Sequence, residues 1–415
     1  MATVKPFNAV TYDAARVPDV GLVTCPPYDV ISPAERDALY DRHPYNVVRI
    51  VSGRQEPDDS DDQNRYTRAC SFFRSWLWEG MLHTDPRPAV FVYRQAFDDP
   101  TGRMRRVWGM LATISLDDEI LAHEKTMSGP KADRLALMEA IPANLSPIYA
   151  LYREEGAKGN GRISTDLSSY SSEAPIADFT DDAGTRHTVW AVHDEAFHEK
   201  IAACLAGLPL LIADGHHRFE TAKGYRDKRR ASDGEGPWDD TMTLLVDVGA
   251  QPLLILPYHR IVRAADTDDP LSAIGSNFDV AEIGPATEDA VKAFEHALWD
   301  LEGAPVFGLI WDGKLFRLEA PASETDDIPA GVLSRLALEP MGITSVEHGL
   351  SFSPDGAFLA SEVAAGRAVC AFLIPPVDVE RVWELAAGGG KMPEKSTYFH
   401  PKPRDGIVIR PLEPC

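Results

Sequence analysis

The sequence predicts a mixed α/β fold, an α+β arrangement of sheet and helices, on three observations. Segments with the two-residue alternation of strands recur beside segments with helical spacing along most of the chain. An apolar run at 209–213 passes through a polar, glycine-containing turn directly into a helical pattern. A chain of 415 residues, 44% of them hydrophobic, can also bury a core large enough for one elaborate domain or two to three modest ones.

Taken in order, residues 47–51 form a short β-branched run, read as a strand, and residues 63–79 carry Tyr66, Cys70, Phe73 and Leu77 at helical spacing. Residues 89–97 and 104–116 alternate around Asp98-Asp99-Pro100-Thr101-Gly102, turn chemistry that predicts a β-hairpin. A polar loop at 123–126 precedes a helix over 131–140, which stops before Pro142. Residues 156–185, rich in Gly, Ser, Asp and Ala, read as loop with at most one weak strand. Strands at 146–152, 188–192, 209–213 and 242–248, with helices at 195–206 and 217–230, complete a mixed core. Acidic, proline-containing stretches at 265–270 and 320–329 bracket a helix at 288–300 and strands at 305–311 and 315–318. A strand within 366–374, a helix at 377–387 and a strand at 407–410 follow. The organisation expected is a core with its N-terminal elaboration over 1–264, an α/β subdomain over 265–340, and a segment over 341–415 that completes the core.

With 41 Lys and Arg against 64 Asp and Glu, the formal charge is −23, which repels a nucleic-acid backbone over most of the surface. A local basic pocket for a mononucleotide is compatible with that sum. Cys25, Cys70, Cys204, Cys370 and Cys415 show no C-x-x-C spacing and support neither a zinc framework nor a disulfide scaffold. The first ten residues lack a basic region followed by an apolar core, and no apolar run reaches about 18 residues. A soluble, cytoplasmic protein is the expectation.

The stretch from Leu210 to Ala222 carries the chemistry. Gly215 permits a sharp turn and close ligand approach, and the first amides of the helix that follows attract anions, phosphate above all. Asp214 is suited to binding a metal or aligning a hydroxyl, while His216, His217 and Arg218 are donors for phosphoryl oxygens. The competing reading is a histidine that caps or packs and an Arg218 paired with a nearby carboxylate. No Walker A motif is present: five residues before Gly390-Lys391 stands Leu385, and Met392 follows. Gly-x-Ser-x-Gly, a strand-linked Gly-x-Gly-x-x-Gly and His-Glu-x-x-His are absent as well.

The run Ala213-Asp214-Gly215-His216-His217-Arg218 resembles the signature of the bacterial and archaeal family known as domain of unknown function 1015. That family in turn resembles the ParB/sulfiredoxin-like superfamily, which includes ParB CTPases, sulfiredoxin and kinases of free serine. Further blocks in the expected order are Cys25-Pro26-Pro27-Tyr28-Asp29-Val30-Ile31, His43-Pro44-Tyr45-Asn46-Val47-Val48-Arg49, His123-Glu124-Lys125-Thr126, Asn144-Leu145-Ser146-Pro147-Ile148, Leu256-Pro257-Tyr258-His259-Arg260 and Lys395-Ser396-Thr397-Tyr398-Phe399-His400-Pro401-Lys402. The resemblance implies a ParB/sulfiredoxin-like core and an ATP- or ADP-dependent small-molecule kinase with Mg²⁺, free L-serine being the best candidate acceptor.

Under that reading Glu124 is the general base, Lys125 holds a phosphoryl group, Asp214 orients the acceptor or binds Mg²⁺, and His216, His217 and Arg218 hold the transferred phosphate on the Gly215 turn. Lys395 and Lys402 are further phosphate ligands in a lid after Gly388-Gly389-Gly390, with Tyr398 or Phe399 stacking on a base; a twisted edge strand with exposed lysines competes with the lid. Tyr28 and Asp29 contact substrate, and Arg49 recognises a carboxylate. Glu124 and Asp214 lie 90 residues apart (214 minus 124), so the base role is also open to Asp214 or Glu220. A solvated loop competes for 123–126, and a charged helix face for Asp133 and Arg134. The rival functions are a non-catalytic, ParB-like nucleotide-binding switch and a metal-dependent phosphodiesterase or nuclease on Asp214, His216 and His217. The charge of −23 weighs against both where they need DNA.

Overall fold

The hairpin expected around Asp98-Asp99-Pro100-Thr101-Gly102 is the centre of the largest sheet of the protein. Strands Val90–Asp98 and Met104–Ser115 pair antiparallel from Phe91 opposite Leu111 to Asp98 opposite Met104. The turn is held by Asp99, whose Oδ1 accepts from the Thr101 amide at 2.9 Å and its hydroxyl at 2.6 Å, while Gly102 takes the left-handed φ of 77°. Burial would raise the Asp99 pKa, but hydrogen bonds from Thr101, Arg105 and backbone amides hold it down at about 2.

The computed structural model describes residues 2–122, 128–154, 163–325, 327–343, 349–393 and 395–413. The chain forms two compact units, one from residues up to 122, from 128 to 253 and from 401 onward, the other from 254 to 400. In the first unit a nine-stranded mixed sheet runs in the order Ile120–Ala122, Leu210–Asp214, Ile148–Tyr152, Asp240–Asp247, Met104–Ser115, Val90–Asp98, Arg186–Val192 and Ala177–Thr180. Val4–Lys5 pairs with Met104–Ser115 off this path. Asp240–Asp247 is buried over all but its first residue, as a central strand covered on both faces must be. Val92, Met110, Ala112 and Tyr152 pack against Ile163, Leu167, Phe197 and Ile201 of helices Ile163–Ser169 and Glu195–Leu205. Ile148 and Ile212 pack with Phe219 and Ala222 of helix His216–Asp233.

A second core in this unit joins Leu39, Val48, Ile50, Phe73 and Trp76 of three N-terminal helices, Pro33–Arg42, Val48–Val51 and Arg65–Trp78, to Leu137 and Ile409. Here residues 47–51 depart from the strand read from their β-branched composition. Buried Asn46 donates to the carbonyls of Leu22 at 2.8 Å and Thr24 at 3.1 Å, and its Oδ1 accepts from the Val48 amide at 2.9 Å. That anchor starts one helical turn, and burial of Val48, Ile50 and Val51 outweighs strand propensity. Helix Ile163–Ser169 likewise interrupts a stretch read as loop, while strand Ala177–Thr180 is the one weak strand that reading allowed. The final strand is only Arg410–Pro411, paired with Ala143–Asn144.

The second unit carries a six-stranded antiparallel sheet, ordered Asp279–Pro285, Lys314–Glu319, Val306–Trp311, Cys370–Leu373, His259–Val262 and Leu350–Ser353. His259, fully buried, accepts at Nδ1 from the Ile374 amide at 3.0 Å, so Nε2 carries the proton directed at Glu295 Oε1, also 3.0 Å away. This histidine is satisfied by its own unit.

The close packing of the large sheet makes Gly109 irreplaceable. A Cβ there would lie 2.7 Å from Val246 Cγ2 and 2.9 Å from the Leu245 carbonyl oxygen, a backbone atom that cannot turn aside. Gly109→Ala is expected to destabilise the protein by about 1–3 kcal/mol in urea unfolding, and an unchanged midpoint would count against this packing.

Candidate functional site

The site grows from the end of strand Leu210–Asp214, which runs antiparallel to Ile148–Tyr152. Ile212 faces Ala150 and Asp214 faces Tyr149, so Ala213 is an extra residue in the ladder. Such a bulge re-aims the side chains that follow it. Gly215 then adopts φ 95° and ψ 27°, and a Cβ on it would sit 3.1 Å from Arg218 Cζ and Nε. Glycine is required twice over, for the left-handed backbone and for the guanidinium that lies against it. Helix His216–Asp233 starts at this turn with no side chain capping it, and the positive end of its dipole faces the turn. His216 is buried and His217 half-buried in its first turn.

Arg218, one turn along, donates Nη2 to Asp214 Oδ2 and Nη1 to the Pro147 carbonyl. The carboxylate partner weighed for this arginine is therefore Asp214 itself. Burial opposes its charge, but Asp214, Asp29 and Asp405 outweigh that and raise the Arg218 pKa. The other oxygen, Asp214 Oδ1, accepts from Lys402 Nζ at 2.5 Å, and the same ammonium donates to Asp29 Oδ2 at 2.9 Å. Asp29, Asp214, Arg218 and Lys402, drawn from three separate sequence blocks, thus form one cluster. Lys402 is only 7% exposed, unlike the exposed lysine of an edge strand.

Its segment is fastened by buried groups. The Gln95 amide donates to the carbonyls of Pro401 at 3.3 Å and Lys402 at 3.2 Å, Tyr93 Oη accepts from the Arg404 amide at 3.3 Å, and Cys25 and Asp405 exchange backbone hydrogen bonds. Asp405 is fully buried, and its Oδ2 accepts from the Ser146 hydroxyl at 2.6 Å. Burial drives its pKa up to about 7 against the lowering pull of Arg218, Ser146 and Arg134, with Asp29 adding to the rise. Beside this pair lies a cavity of about 50 Å³ lined by Arg134, Asn144, Ser146, Arg218, Thr221 and Thr241. Tyr28 is half-buried with the Arg134 guanidinium 3.9 Å over its ring. Burial raises its pKa despite the nearby Arg218 charge. Asp133 joins the support: it accepts from Tyr66 Oη at 2.7 Å and from Arg65 and Arg134, so these helix residues are not merely a solvated face.

The Arg49 guanidinium donates to the Tyr40 carbonyl at 2.6 Å and rests 4.2 Å over the Tyr40 ring. Glu124 and Lys125 fall outside the described residues. Lys395 belongs to the second unit, where its ammonium is 5.2 Å over the Tyr258 ring and its carbonyl accepts from Arg260. Phe399 is 2% exposed in strand Tyr398–His400, paired with Leu254–Leu256, and is core rather than a surface on which a base stacks. Sequence reasoning missed Asp405 and gave Ser146 no role, although both sit in or beside motifs it noticed.

Two experiments test this site without a substrate. Lys402→Met removes the ammonium that Asp29 and Asp214 share, leaving Asp214 with Arg218 alone, and is expected to cost about 1–3 kcal/mol of stability, read by chemical denaturation. For Asp405, the folded pKa of about 7 stands above the ordinary 3.8, so the stability its proton confers is full below the unfolded value and is lost as pH rises toward 7. Asp405→Asn does not titrate, and its melting temperature relative to the unsubstituted protein is expected to climb across that window; a constant difference would contradict the buried carboxyl.

A search of curated proteins finds no match. Among solved structures the chain is similar to a free serine kinase in complex with AMP, at 14% identity and a TM-score of 0.36 over 70% of this chain and 86% of that one. It is similar to a conserved hypothetical protein from Pyrococcus furiosus at 14% identity and a TM-score of 0.37, covering 72% of this chain and 95% of that one. It is also similar to SbnI with C-terminal truncation from Staphylococcus aureus, at 9% identity and a TM-score of 0.37 over 73% and 87% of the two chains. Likeness at this level transfers no activity. The family match rests on sequence itself: residues 4–338, well over half of the chain, match the family described as Protein of unknown function (DUF1015), and this protein belongs to that family.

Proposed function

We propose that this protein is a phosphotransferase that moves a phosphoryl group from ATP or ADP to the hydroxyl of a small molecule, free L-serine being the acceptor to test first. The observation that carries the reading is the convergence of Lys402 and Arg218 on the Gly215 turn, at the dipole-positive end of an 18-residue helix, with Arg218 also lining a small cavity. Phosphoryl transfer asks for positioned positive charge and little covalent chemistry. Asp29 and Asp214 hold the two cations in place, and an arriving polyphosphate replaces carboxylate oxygens with phosphoryl oxygens as partners of the same donors. His217, half-buried in the first turn, reaches the transferred group, and His216 supports it from the buried side. Serine comes from the resemblance of the motif blocks to the superfamily that contains free serine kinases.

Magnesium does not fit as a protein-built centre. Both Asp214 oxygens accept from cations, and among the described residues no group of three or more His, Cys, Asp or Glu side chains is placed to hold a metal ion. A divalent ion would arrive on the nucleotide, bound chiefly by phosphates and water.

The test is transfer from ATP or ADP with Mg²⁺ to a panel of free amino acids and other small alcohols, read by mass spectrometry. A phosphorylated acceptor, with phosphoserine first among them, is the expected product. Nucleotide binding without any modified acceptor would favour the switch instead. Asp214→Asn, which releases both cations from their shared carboxylate, is expected to abolish turnover; near-normal turnover would remove this cluster from the reaction.

A further inference from the structure

We propose that Asp405 receives the proton of the acceptor hydroxyl through Ser146, the two residues forming the proton relay of the phosphoryl transfer. The inference rests on the phosphotransferase reading and deepens it by naming where the proton goes.

Four features of the geometry carry it. Ser146 is half-buried and lines the same cavity of about 50 Å³ as Arg134 and Arg218, the latter a proposed phosphate ligand. That hydroxyl already donates to Asp405 Oδ2 at 2.6 Å, a short link of the kind along which a proton moves. Asp405 is fully buried, and its second oxygen has no hydrogen-bond partner among the described residues. An orphaned carboxylate oxygen inside a protein is costly to keep ionised, and protonation relieves that cost. Asp214, by contrast, is tied to two cations of the same cluster, Arg218 and Lys402.

The groups facing Asp405 are the guanidinium ions of Arg218 and Arg134, the carboxylate of Asp29, the thiol of Cys25 and the phenol of Tyr93. Burial dominates this balance and places proton exchange near neutrality, where a group both accepts a proton during turnover and returns it to solvent afterwards.

In the step itself the acceptor oxygen forms a bond to the terminal phosphorus while the bond from that phosphorus to the bridging oxygen of the nucleotide breaks. The shortened nucleotide leaves with the electron pair. The acceptor proton passes to Ser146 Oγ as the proton of Ser146 passes to Asp405 Oδ2. Ser146 ends as it began, Asp405 ends neutral, and no further reactant is needed. Asp405 acts through Ser146 and is a positioning and proton-holding residue; Ser146 is the group that touches the acceptor.

The experiment is kcat/KM against pH for transfer to the accepted small molecule, measured on full-length protein and on the Asp405→Asn, Ser146→Ala, Ser146→Thr and Glu124→Gln variants. The unsubstituted enzyme is expected to lose activity about tenfold per pH unit below neutrality. Asp405→Asn should fall by about 10²–10⁴-fold and lose that acid limb. Ser146→Ala should fall similarly, and Ser146→Thr, which keeps the hydroxyl, should recover much of the loss. An acid limb that persists in Asp405→Asn and disappears in Glu124→Gln would overturn the relay while leaving the phosphotransferase intact. Absence of any phosphorylated acceptor would overturn the phosphotransferase reading and the relay with it. Infrared difference spectra between the unsubstituted protein and Asp405→Asn need no substrate: a protonated-carboxyl band that fades near neutral pH is expected, and a carboxylate ionised throughout pH 5–8 would by itself exclude the relay.

Discussion

A buried lysine between two carboxylates is the constraint on which the first unit depends. Lys402 meets Asp214 across 188 residues of sequence and Asp29 across 373. Removing an ammonium from water costs several kcal/mol unless its partners are already in place. The strand end at Asp214, the turn at Asp29 and the C-terminal segment must therefore arrive together, and a misplacement of any one strands the other two charges. Gln95, Tyr93 and Cys25 make that arrival specific, because each satisfies a backbone group of residues 401–405 that would otherwise be buried without a partner.

The same cluster gathers cations in a chain whose net charge of −23 repels anions. Asp214 stands on a bulged strand end, Arg218 in the first turn of a long helix and Lys402 on a segment fixed by buried hydrogen bonds. Two cations are thus gathered at one place in a chain whose net charge is −23. Arg218 and Lys402 are balanced by Asp29, Asp214 and the titratable Asp405, so the local charge is set by neighbours and changes when one of them is exchanged for phosphate or takes up a proton.

Much of the fold is legible in local pattern. The hairpin around Asp99, the amphipathic helix Arg65–Trp78 and the passage from strand through Gly215 into helix all follow from periodicity and turn chemistry. Helix Pro33–Arg42 carried a readable signal too, a capping box of Ser32 and Glu35 with Pro33 at its start, which the β-branched run beyond it obscured. Residues 47–51 misled because the interaction that decides them, Asn46 with Leu22 and Thr24, spans more than twenty residues. Phe399 was assigned to a ligand by its polar neighbours, and its burial against Leu254–Leu256 comes from a strand partner far away in sequence.

What the sequence determined by itself is therefore the mixed α/β class, most elements, and the residue types that bear chemistry at Asp214, Gly215, Arg218 and Lys402, because spacing and side-chain identity are local properties. Only the tertiary structure decided which of those residues share a charge cluster, that Arg49 rests on Tyr40 instead, and that burial pushes the Asp405 pKa up. Ion pairing and desolvation depend on what the folded chain brings within a few ångströms, and Asp405-Gly406 reads in sequence as an ordinary turn until Ser146, Cys25 and Arg218 close around it.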